Sequence, residues 1–310
     1  MSVQETRGHR RPVKVEGLVG TVFCPYTSGP HPTVVALGGV GGGLREGGAE
    51  ALASEGFAAL ALAYFGLEGL PRELVEIPLE YFERAIAWLK SQPEVDAKRI
   101  AVVGNSKGGE LALLLGATYP EDVRAIVGYA PSGVVWQGIT FDREFYHGGP
   151  RSPWALGGEP VPFARFANPL PAEMVRMIGF YFGRHPIVGR VFYERALENE
   201  AAIAAAEIAV EKIHGPLLLI SGTDDLMWPS THLSDMVIER LVAHDHPFPY
   251  EHLRYEGAGH MITLPNSEPP PSWTSRYEVG GTREANEFAN VDSWTQVLSF
   301  LDKHLKGRCS

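Results

Sequence analysis

The sequence predicts an α/β fold in which a mostly parallel central sheet is covered by helices on both faces. Short apolar segments alternate with helical patterns along most of the chain, and the apolar segments lack the polar alternation of a half-exposed strand. Such strands are typical of parallel sheets buried on both sides. The alternation stops at 132–212. A structureless loop of that length is improbable, so we expect an insertion between two core strands.

The elements follow in chain order. An opening hairpin is predicted over 13–25, where apolar residues alternate around a glycine. The later apolar runs predict strands at 33–39, 58–64, 99–104, 123–131, 215–222 and 250–257. Helical spacing predicts helices at 45–57, 71–91, 107–119, 230–245 and 291–305. In this interpretation, 1–131 and 213–310 form the core. The remaining 132–212 form an inserted cap, aromatic-rich at first and then helical at 171–183 and 198–212.

Composition excludes several classes of partner. The chain has 310 residues, a formal net charge of -10 and no run of Lys and Arg. Phosphate neutralisation requires a basic surface, so nucleic acid is not expected as a partner. No apolar stretch approaches the roughly 20 residues that span a bilayer, so no membrane span is predicted.

The termini and the cysteines predict a cytoplasmic protein. The N-terminal residues are polar and contain no apolar core of a signal peptide. Two cysteines, Cys24 and Cys309, fit a reducing compartment and argue against a disulfide framework or a zinc cluster. No metal and no cofactor is predicted.

One short stretch, IAVVGNSKGGEL at 100–111, predicts a nucleophile. Ser106 occupies the centre of a G-x-S-x-G pattern between a strand and a helix, the setting of a nucleophile elbow. Gly104 and Gly108 let the strand and helix approach closely, and the amide of Lys107 begins a helix that favours negative charge. The alternative is an ordinary glycine-rich turn in which Ser106 caps the helix.

Two later loops supply the partners that a serine nucleophile needs. In this architecture the acid and then the histidine follow the serine along the chain. Asp224 and Asp225 follow the strand at 215–222, and we favour Asp225 as the acid, with Asp224 as a turn residue. His260 follows the strand at 250–257 in the loop GAGH and is predicted as the general base.

The remaining residues near these loops leave alternatives open. His244, His246 and His252 are expected at the surface. The glycine loop, GGVGGG at 38–43, predicts oxyanion donors at Gly39 or Val40, together with Lys107. A phosphate-binding loop is the other interpretation, but neither a clean G-x-G-x-x-G frame nor a following G-K-[ST] is present.

The assembled segments resemble the acyl-CoA thioesterase / bile acid-CoA:amino acid N-acyltransferase family, and through it the dienelactone-hydrolase branch of the α/β-hydrolases. The resemblance covers roughly 30–130 and 205–305, and GNSKGGELALLL is more specific than a bare G-x-S-x-G. It implies Ser106 as nucleophile, Asp225 as orienting acid and His260 as base. In this family a serine at the elbow goes with hydrolysis and a cysteine with amide-forming transfer.

Two departures bear on the substrate. Thioesterases of this family carry an N-terminal β-sandwich domain, whereas about 30 residues precede the matching region here, and 132–212 is longer than the family's connection. Coenzyme A would require cations near its phosphates. The candidates are Arg45, Lys107, Arg143 and Arg151, with a solvated surface as the alternative role.

The sequence therefore predicts a serine acyl hydrolase, most simply a thioesterase that cleaves acyl-CoA or a carrier-bound thioester. An ester or lactone hydrolase, and an acyltransferase or cyclase that delivers the acyl group to an amine or hydroxyl, remain open. The substrate is a small acyl thioester or ester, and assembly into a homo-oligomer is left open. An apolar acyl pocket is predicted from aromatic residues of the cap, with packing against the core as the alternative. These residues are Trp136, Phe141, Tyr146, Trp154, Phe180 and Tyr181.

Overall fold

The computed structural model describes residues 9–15, 17–139, 149–175, 186–267 and 277–307. Eight strands form one sheet in the order β1-β2-β4-β3-β6-β7-β10-β11. The first two pairs, β1–β2 and β2–β4, are antiparallel, and every later pair is parallel. The prediction of a mostly parallel sheet is confirmed.

The strands of this sheet lie close to the predicted runs. They are β1 (His9–Pro12), β2 (Val19–Cys24), β3 (His31–Leu37), β4 (Ala58–Ala63), β6 (Val95–Asn105), β7 (Ala125–Tyr129), β10 (Leu217–Gly222) and β11 (Tyr250–Tyr255). A second sheet of three short strands contains β5 (Ile77–Pro78), β8 (Trp154–Leu156) and β9 (Glu159–Pro160).

Helices cover both faces of the large sheet. They are α1 (Glu46–Ser54), α2 (Leu79–Lys90), α3 (Lys107–Thr118), α6 (Ser230–Ala243) and α7 (Arg283–Leu301). Two further helices, α4 (Arg190–Leu197) and α5 (Glu200–Ala206), lie in the insertion. Successive residues of β3 point to opposite faces: Val34 packs with α1 and α7, and Val35 packs with α2 and α3. Both sets of side chains are buried, which explains the uninterrupted apolar runs.

One helix is shorter than its sequence pattern. The predicted helix at 71–91 begins at Leu79, because Pro78 is extended (φ -64°, ψ 128°) and caps α2. A proline disfavours helical geometry in the residue before it, and Ile77 pairs with Trp154 in the small sheet. Leu74 and Ile77 are nevertheless buried, so the apolar spacing identified core residues but not a helix.

The insertion connects neighbouring strands. The chain leaves the sheet at the end of β7 and returns in β10, and these two strands pair in parallel. Between them lie β8, β9, α4 and α5, and the predicted helix at 198–212 is broken into α5 and a 3-10 turn at Val210–Lys212. Residues 171–175 are helical, as expected from the pattern at 171–183. The assignment of this region as a cap stays a prediction.

The sheet topology places several loops at one edge. The strands β3, β6, β10 and β11 run parallel, so their carboxyl ends share an edge, and each is followed by one of the loops singled out above. Cys24 is buried and free of a disulfide, and Cys309 lies outside the described residues. Among the helices of the described ranges, none is long and apolar enough to cross a bilayer.

Candidate active site

Ser106 lies in a sharp turn between β6 and α3. Its backbone has φ 56° and ψ -121°, a conformation that costs a non-glycine residue about 1–3 kcal/mol and that recurs at functional sites. Glycine is required at positions 104 and 108, because neither position has room for a side chain. A Cβ added at Gly104 would lie 1.9 Å from the carbonyl oxygen of Gly108, and one added at Gly108 would lie 2.5 Å from that of Gly38. Strand and helix could not approach this closely with any other residue at either position.

Three side chains from three separate loops form a hydrogen-bonded chain. The distance from Ser106 Oγ to His260 Nε2 is 2.9 Å, and that from His260 Nδ1 to Asp225 Oδ2 is 2.7 Å. The carboxylate can only accept, so Nδ1 carries the proton and Nε2 accepts from the Ser106 hydroxyl. The structure thus brings together the three residues that the sequence singled out.

The surrounding backbone fixes the two partners of the serine. Asp225 is fully buried, and its Oδ1 accepts from the amides of Met227 (2.9 Å) and Trp228 (3.2 Å). This leaves Oδ2 for His260. Asp224 faces away, where its Oδ2 accepts from the amide of Gly281 at 3.0 Å. The choice of Asp225 over Asp224 therefore agrees with the side-chain directions.

The predicted oxyanion donors lie beside the serine. A Cβ added at Gly39 would be 3.1 Å from Ser106 Cβ, so the glycine loop contacts the elbow directly. Val40 follows it, and Lys107 opens α3. Within the described ranges, none of the three amides donates to a recorded partner. Their role toward an oxyanion stays a prediction.

A cleft opens at this point. Its lining includes Ser106, His260, Gly39, Val40 and Arg45. Apolar and small residues supply most of the remaining surface, notably Leu37, Tyr129, Met261 and Leu264. The cleft therefore offers an apolar space directly over the serine, as small-molecule sites usually do.

Comparison with known families decides the affiliation. Residues 77–307 match the family described as BAAT / acyl-CoA thioester hydrolase C terminal. The chain belongs to this family. The prediction drawn from the elbow and loop motifs is confirmed.

Curated relatives agree with the assignment. The mouse (Mus musculus) peroxisomal succinyl-coenzyme A thioesterase is 31% identical over 96% of this chain and 65% of its own length. The human (Homo sapiens) mitochondrial acyl-coenzyme A thioesterase 2 is 32% identical over 96% of this chain and 57% of its own length. The chain thus spans less than two thirds of either relative.

Solved structures establish the fold of this family member. A dienelactone hydrolase-like promiscuous phosphotriesterase from metagenomic libraries aligns with TM-score 0.59 and 18% identity, over 96% of this chain and 99% of that one. The α/β hydrolase GrgF from Penicillium sp. sh18 aligns with TM-score 0.54 and 18% identity, over 93% and 94%. At these identities the likeness concerns the fold alone, and the α/β-hydrolase prediction is confirmed.

The Lys107 side chain of this family member is buried in an ion pair. Its ammonium lies 2.7 Å from Glu110 Oε1 and 2.8 Å from the carbonyl oxygen of Trp136. Glu110 also accepts from the Trp154 indole at 2.9 Å. Burial lowers the pKa of Lys107 and raises that of Glu110, and the opposite charge beside each group works against both shifts. The expectation that this ammonium could meet a coenzyme A phosphate is wrong, because it is enclosed.

The cap aromatics that the structure describes pack inside the fold. Trp136 and Trp154 are fully buried, and neither lines the cleft. Trp136 packs edge-on against Tyr193, and Trp154 packs near Tyr64. Both rings thus pack against the core, which was the alternative to a substrate pocket. A substrate contact by either ring stays a prediction, and the buried positions do not favour it.

Several predicted residues lie elsewhere. Arg151 pairs with Glu76 near the surface. This agrees with the solvated surface role that was the alternative to binding a coenzyme A phosphate. The other cap candidates lie outside the described residues. They are Phe141, Tyr146, Phe180, Tyr181 and Arg143.

A second serine–histidine–aspartate set was missed by the sequence reasoning. Ser221 Oγ lies 2.7 Å from His252 Nε2, and His252 Nδ1 lies 2.9 Å from Asp235 Oδ1. Ser221 is fully buried, its hydroxyl is shared with Thr231, and the pair joins β10 to β11. This set is structural, since the Ser221 side chain is fully buried.

Two of the histidines expected at the surface are buried instead. The His252 side chain is 3% exposed and His246 is 8% exposed, because the loop and strand that carry them pack under α6. His244 is exposed as expected. A polar residue within a strand was the available signal, since His252 lies in the middle of β11.

Proposed function

We propose that the protein is a serine acyl hydrolase that cleaves an acyl thioester, most simply an acyl-CoA, through an acyl-enzyme intermediate. The observation that carries the proposal is the 2.9 Å contact between Ser106 Oγ and His260 Nε2 at the floor of an apolar cleft. A strained turn aims the hydroxyl, and a buried carboxylate orients the imidazole. This is the arrangement that activates a serine for acyl transfer.

The proposed reaction has two halves. His260 Nε2 accepts the proton of Ser106 as Oγ attacks the thioester carbonyl, and the imidazolium that forms is stabilised by Asp225. Collapse of the tetrahedral intermediate expels the thiolate, which takes the proton from His260. A water molecule, deprotonated by His260, then attacks the acyl-enzyme. Collapse of this second intermediate breaks the bond to Ser106 Oγ, which takes the proton back from His260, and the carboxylic acid is released.

The amides of Lys107 and of Gly39 or Val40 are the proposed oxyanion donors. They flank the serine and are free of competing partners in the described chain. Loss of one such donor in other enzymes costs about 10²–10³ in kcat.

The leaving group is proposed by analogy with the relatives, one named a succinyl-coenzyme A thioesterase and the other an acyl-coenzyme A thioesterase. The cytoplasmic location expected from the sequence remains part of the proposal, although two of those relatives are named peroxisomal and mitochondrial. A carrier-bound thioester and a homo-oligomeric assembly stay predictions.

Active-site labelling tests the nucleophile. A fluorophosphonate probe should react with the wild-type protein, and peptide mapping should find the adduct on Ser106. Ser106→Ala should abolish both labelling and hydrolysis of acyl-CoA while leaving the melting temperature close to that of the wild type. Ser221→Ala is the matched control, because that hydroxyl also contacts a histidine but is enclosed; labelling should persist in it.

The outcomes separate the remaining alternatives. An adduct on Ser221, or unchanged hydrolysis in Ser106→Ala, would contradict the proposed mechanism. Comparing a thioester with its matched oxygen ester distinguishes a thioesterase from an ester hydrolase. Mass spectrometry of products formed with and without an amine acceptor detects acyl transfer.

A further inference from the structure

One charged side chain in the cleft has no part in the proposed mechanism. Arg45, just before α1, lines the same cleft as Ser106 and His260. The lining residues of the described chain include no Asp, Glu or Lys. In a protein with a net charge of -10, the part of the cleft that the structure describes therefore presents a cation and no acid to its contents.

The glycine loop holds the guanidinium near the serine. A Cβ added at Gly41 would lie 2.6 Å from Arg45 Nη2, and one added at Gly38 would lie 3.3 Å from Arg45 Nε. A Cβ added at Gly39, the residue after Gly38, would likewise lie close to the side chain of Ser106. A path from Arg45 Nε to Ser106 Oγ runs through the added Cβ and the Cα of Gly38 and then through those of Gly39. Because consecutive Cα atoms are about 3.8 Å apart, this path limits the distance between Nε and Oγ to about 14 Å. One substrate molecule can reach both.

No carboxylate of the described residues neutralises Arg45. Its neighbour Glu46 is engaged by Arg10 and by the hydroxyl of Thr21, at 2.7 Å and 2.5 Å. Burial lowers the pKa of Arg45, yet a guanidinium stays protonated in proteins. An unpaired and partly buried cation is unfavourable until an anion approaches.

We propose that Arg45 forms an oxyanion-binding subsite of the cleft, which holds a carboxylate or phosphate group of the substrate. The inference rests on the proposed function for the identity of that substrate. A guanidinium binds both kinds of oxyanion through paired hydrogen bonds. Two groups of an acyl-CoA offer this chemistry: a carboxylate at the far end of a short dicarboxylic acyl chain, and a phosphate of the leaving group.

Four substrates distinguish the two sources. Glutaryl-CoA carries both anions, butyryl-CoA carries the phosphates alone, and the two N-acetylcysteamine thioesters of the same acids lack phosphate. For substrates that carry the recognised anion, Arg45→Met should raise KM ten- to a hundredfold with little change in kcat, as expected for lost charge-assisted binding. Arg45→Lys should recover part of the loss. Arg84→Met, which removes an exposed arginine of α2, is the charge control and should change nothing.

The pattern of losses decides the outcome. Losses confined to both glutaryl substrates identify the acyl carboxylate, and losses confined to both CoA thioesters identify the phosphate. Equal losses on all four substrates would overturn the subsite, since neutral butyryl-N-acetylcysteamine offers no anion. Unchanged KM for all four would overturn it as well. Melting temperatures of the variants show whether a loss reflects unfolding, and Arg45→Lys remains informative if Arg45→Met does not fold.

A binding measurement separates this inference from the proposed activity. In a Ser106→Ala background, calorimetric titration with glutarate and with coenzyme A reports on the subsite without turnover. Binding of either ligand that weakens at least tenfold in Arg45→Met supports the subsite even if the wild-type protein hydrolyses none of the four thioesters. Absent binding, or binding that Arg45→Met leaves unchanged, overturns it.

Discussion

At the scale of single residues, the two oxygens of Asp225 have separate tasks. Oδ1 accepts from two backbone amides, and Oδ2 accepts from His260. Because the amides can only donate, whatever atom replaces Oδ1 must be an acceptor. The atom at the Oδ2 position of residue 225 then decides which nitrogen of His260 carries the proton.

This division predicts the effect of Asp225→Asn. The Asn oxygen should stay on the amides of Met227 and Trp228, so its NH2 group faces His260 Nδ1. The imidazole must then accept at Nδ1 and carry its proton on Nε2, where it cannot accept from Ser106. We expect kcat to fall roughly 10³–10⁴-fold, as for this tautomer error in serine proteases, with the fold retained. Steady-state kinetics on an acyl-CoA measure it.

Asp224→Asn is the matched control. Asp224 accepts a single bond from the amide of Gly281, which an Asn oxygen can replace, so kcat should stay within about twofold. Equal losses in the two variants would contradict the assignment of Asp225 as the orienting acid.

The sequence predicts residues whose signal is local. Ser106, Asp225 and His260 each follow a recognisable strand, and chain order links them. Glu110 lacks such a signal, because most of its partners come from distant segments. The contact of Glu110 with Trp154 joins residues 44 positions apart, and nothing near Glu110 in the sequence announces it.

At the scale of elements, α3 is attached to the insertion through one buried ion pair. Lys107 and Glu110 both lie in the first turn of α3, and both contact Trp136 of the insertion. The exposed fractions of their side chains are 1% and 0%. The helix that begins at the nucleophile therefore has its first turn fixed by charges that are enclosed on every side.

Removing one charge of this pair should destabilise the protein strongly. Glu110→Gln leaves the Lys107 ammonium buried without a counter-charge, and we expect a loss of about 3–5 kcal/mol in the free energy of unfolding. The double variant Lys107→Met/Glu110→Gln removes both charges and should be more stable than Glu110→Gln alone. Urea denaturation monitored by circular dichroism measures the free energy of unfolding of the wild type and of both variants.

An exposed pair provides the comparison. Arg283 and Glu287 in α7 are 81% and 67% exposed, so Glu287→Gln should leave the unfolding midpoint unchanged. If the double variant proved less stable than Glu110→Gln, the unpaired Lys107 ammonium would not carry the expected burial penalty.

Element bounds were predictable where capping and periodicity agree. The helix at 107–119 was predicted to within one residue of α3, since a glycine-rich turn opens it. The helix at 71–91 was not, because apolar residues of an extended segment can match helical spacing by chance. Proline at position 78 was the available signal, and it marks the first residue outside α2.

At the scale of the whole molecule, the fold brings residues that are distant in sequence to the same edge of the sheet. The strands β7 and β10 are neighbours in the sheet although the insertion separates them in sequence. Alternating strands and helices predicted a parallel sheet, but strand order depends on which apolar faces pack together, and local patterns do not contain that information. The fold class was therefore predictable, and the strand order was not.

The stability of the whole molecule should decrease in mild acid. Burial lowers the pKa of His246, His252 and His304 from the ordinary value of 6.5. The unfolded chain binds protons at these histidines as the pH falls below about 6.5, and the folded protein binds fewer. Their stabilising contribution is therefore complete above that pH and is lost progressively below it.

A single substitution tests this pH dependence. His252 links Ser221 to Asp235 inside the sheet and α6 layer, and His252→Gln removes its titration. Urea unfolding at pH 7.5, 6.5 and 5.5 should show a smaller fall in stability for His252→Gln than for the wild type. His244→Gln, at an exposed position, should follow the wild-type curve. If His252→Gln and wild type lose stability in parallel, proton uptake by this buried imidazole on unfolding does not contribute, and the acid sensitivity must come from other groups.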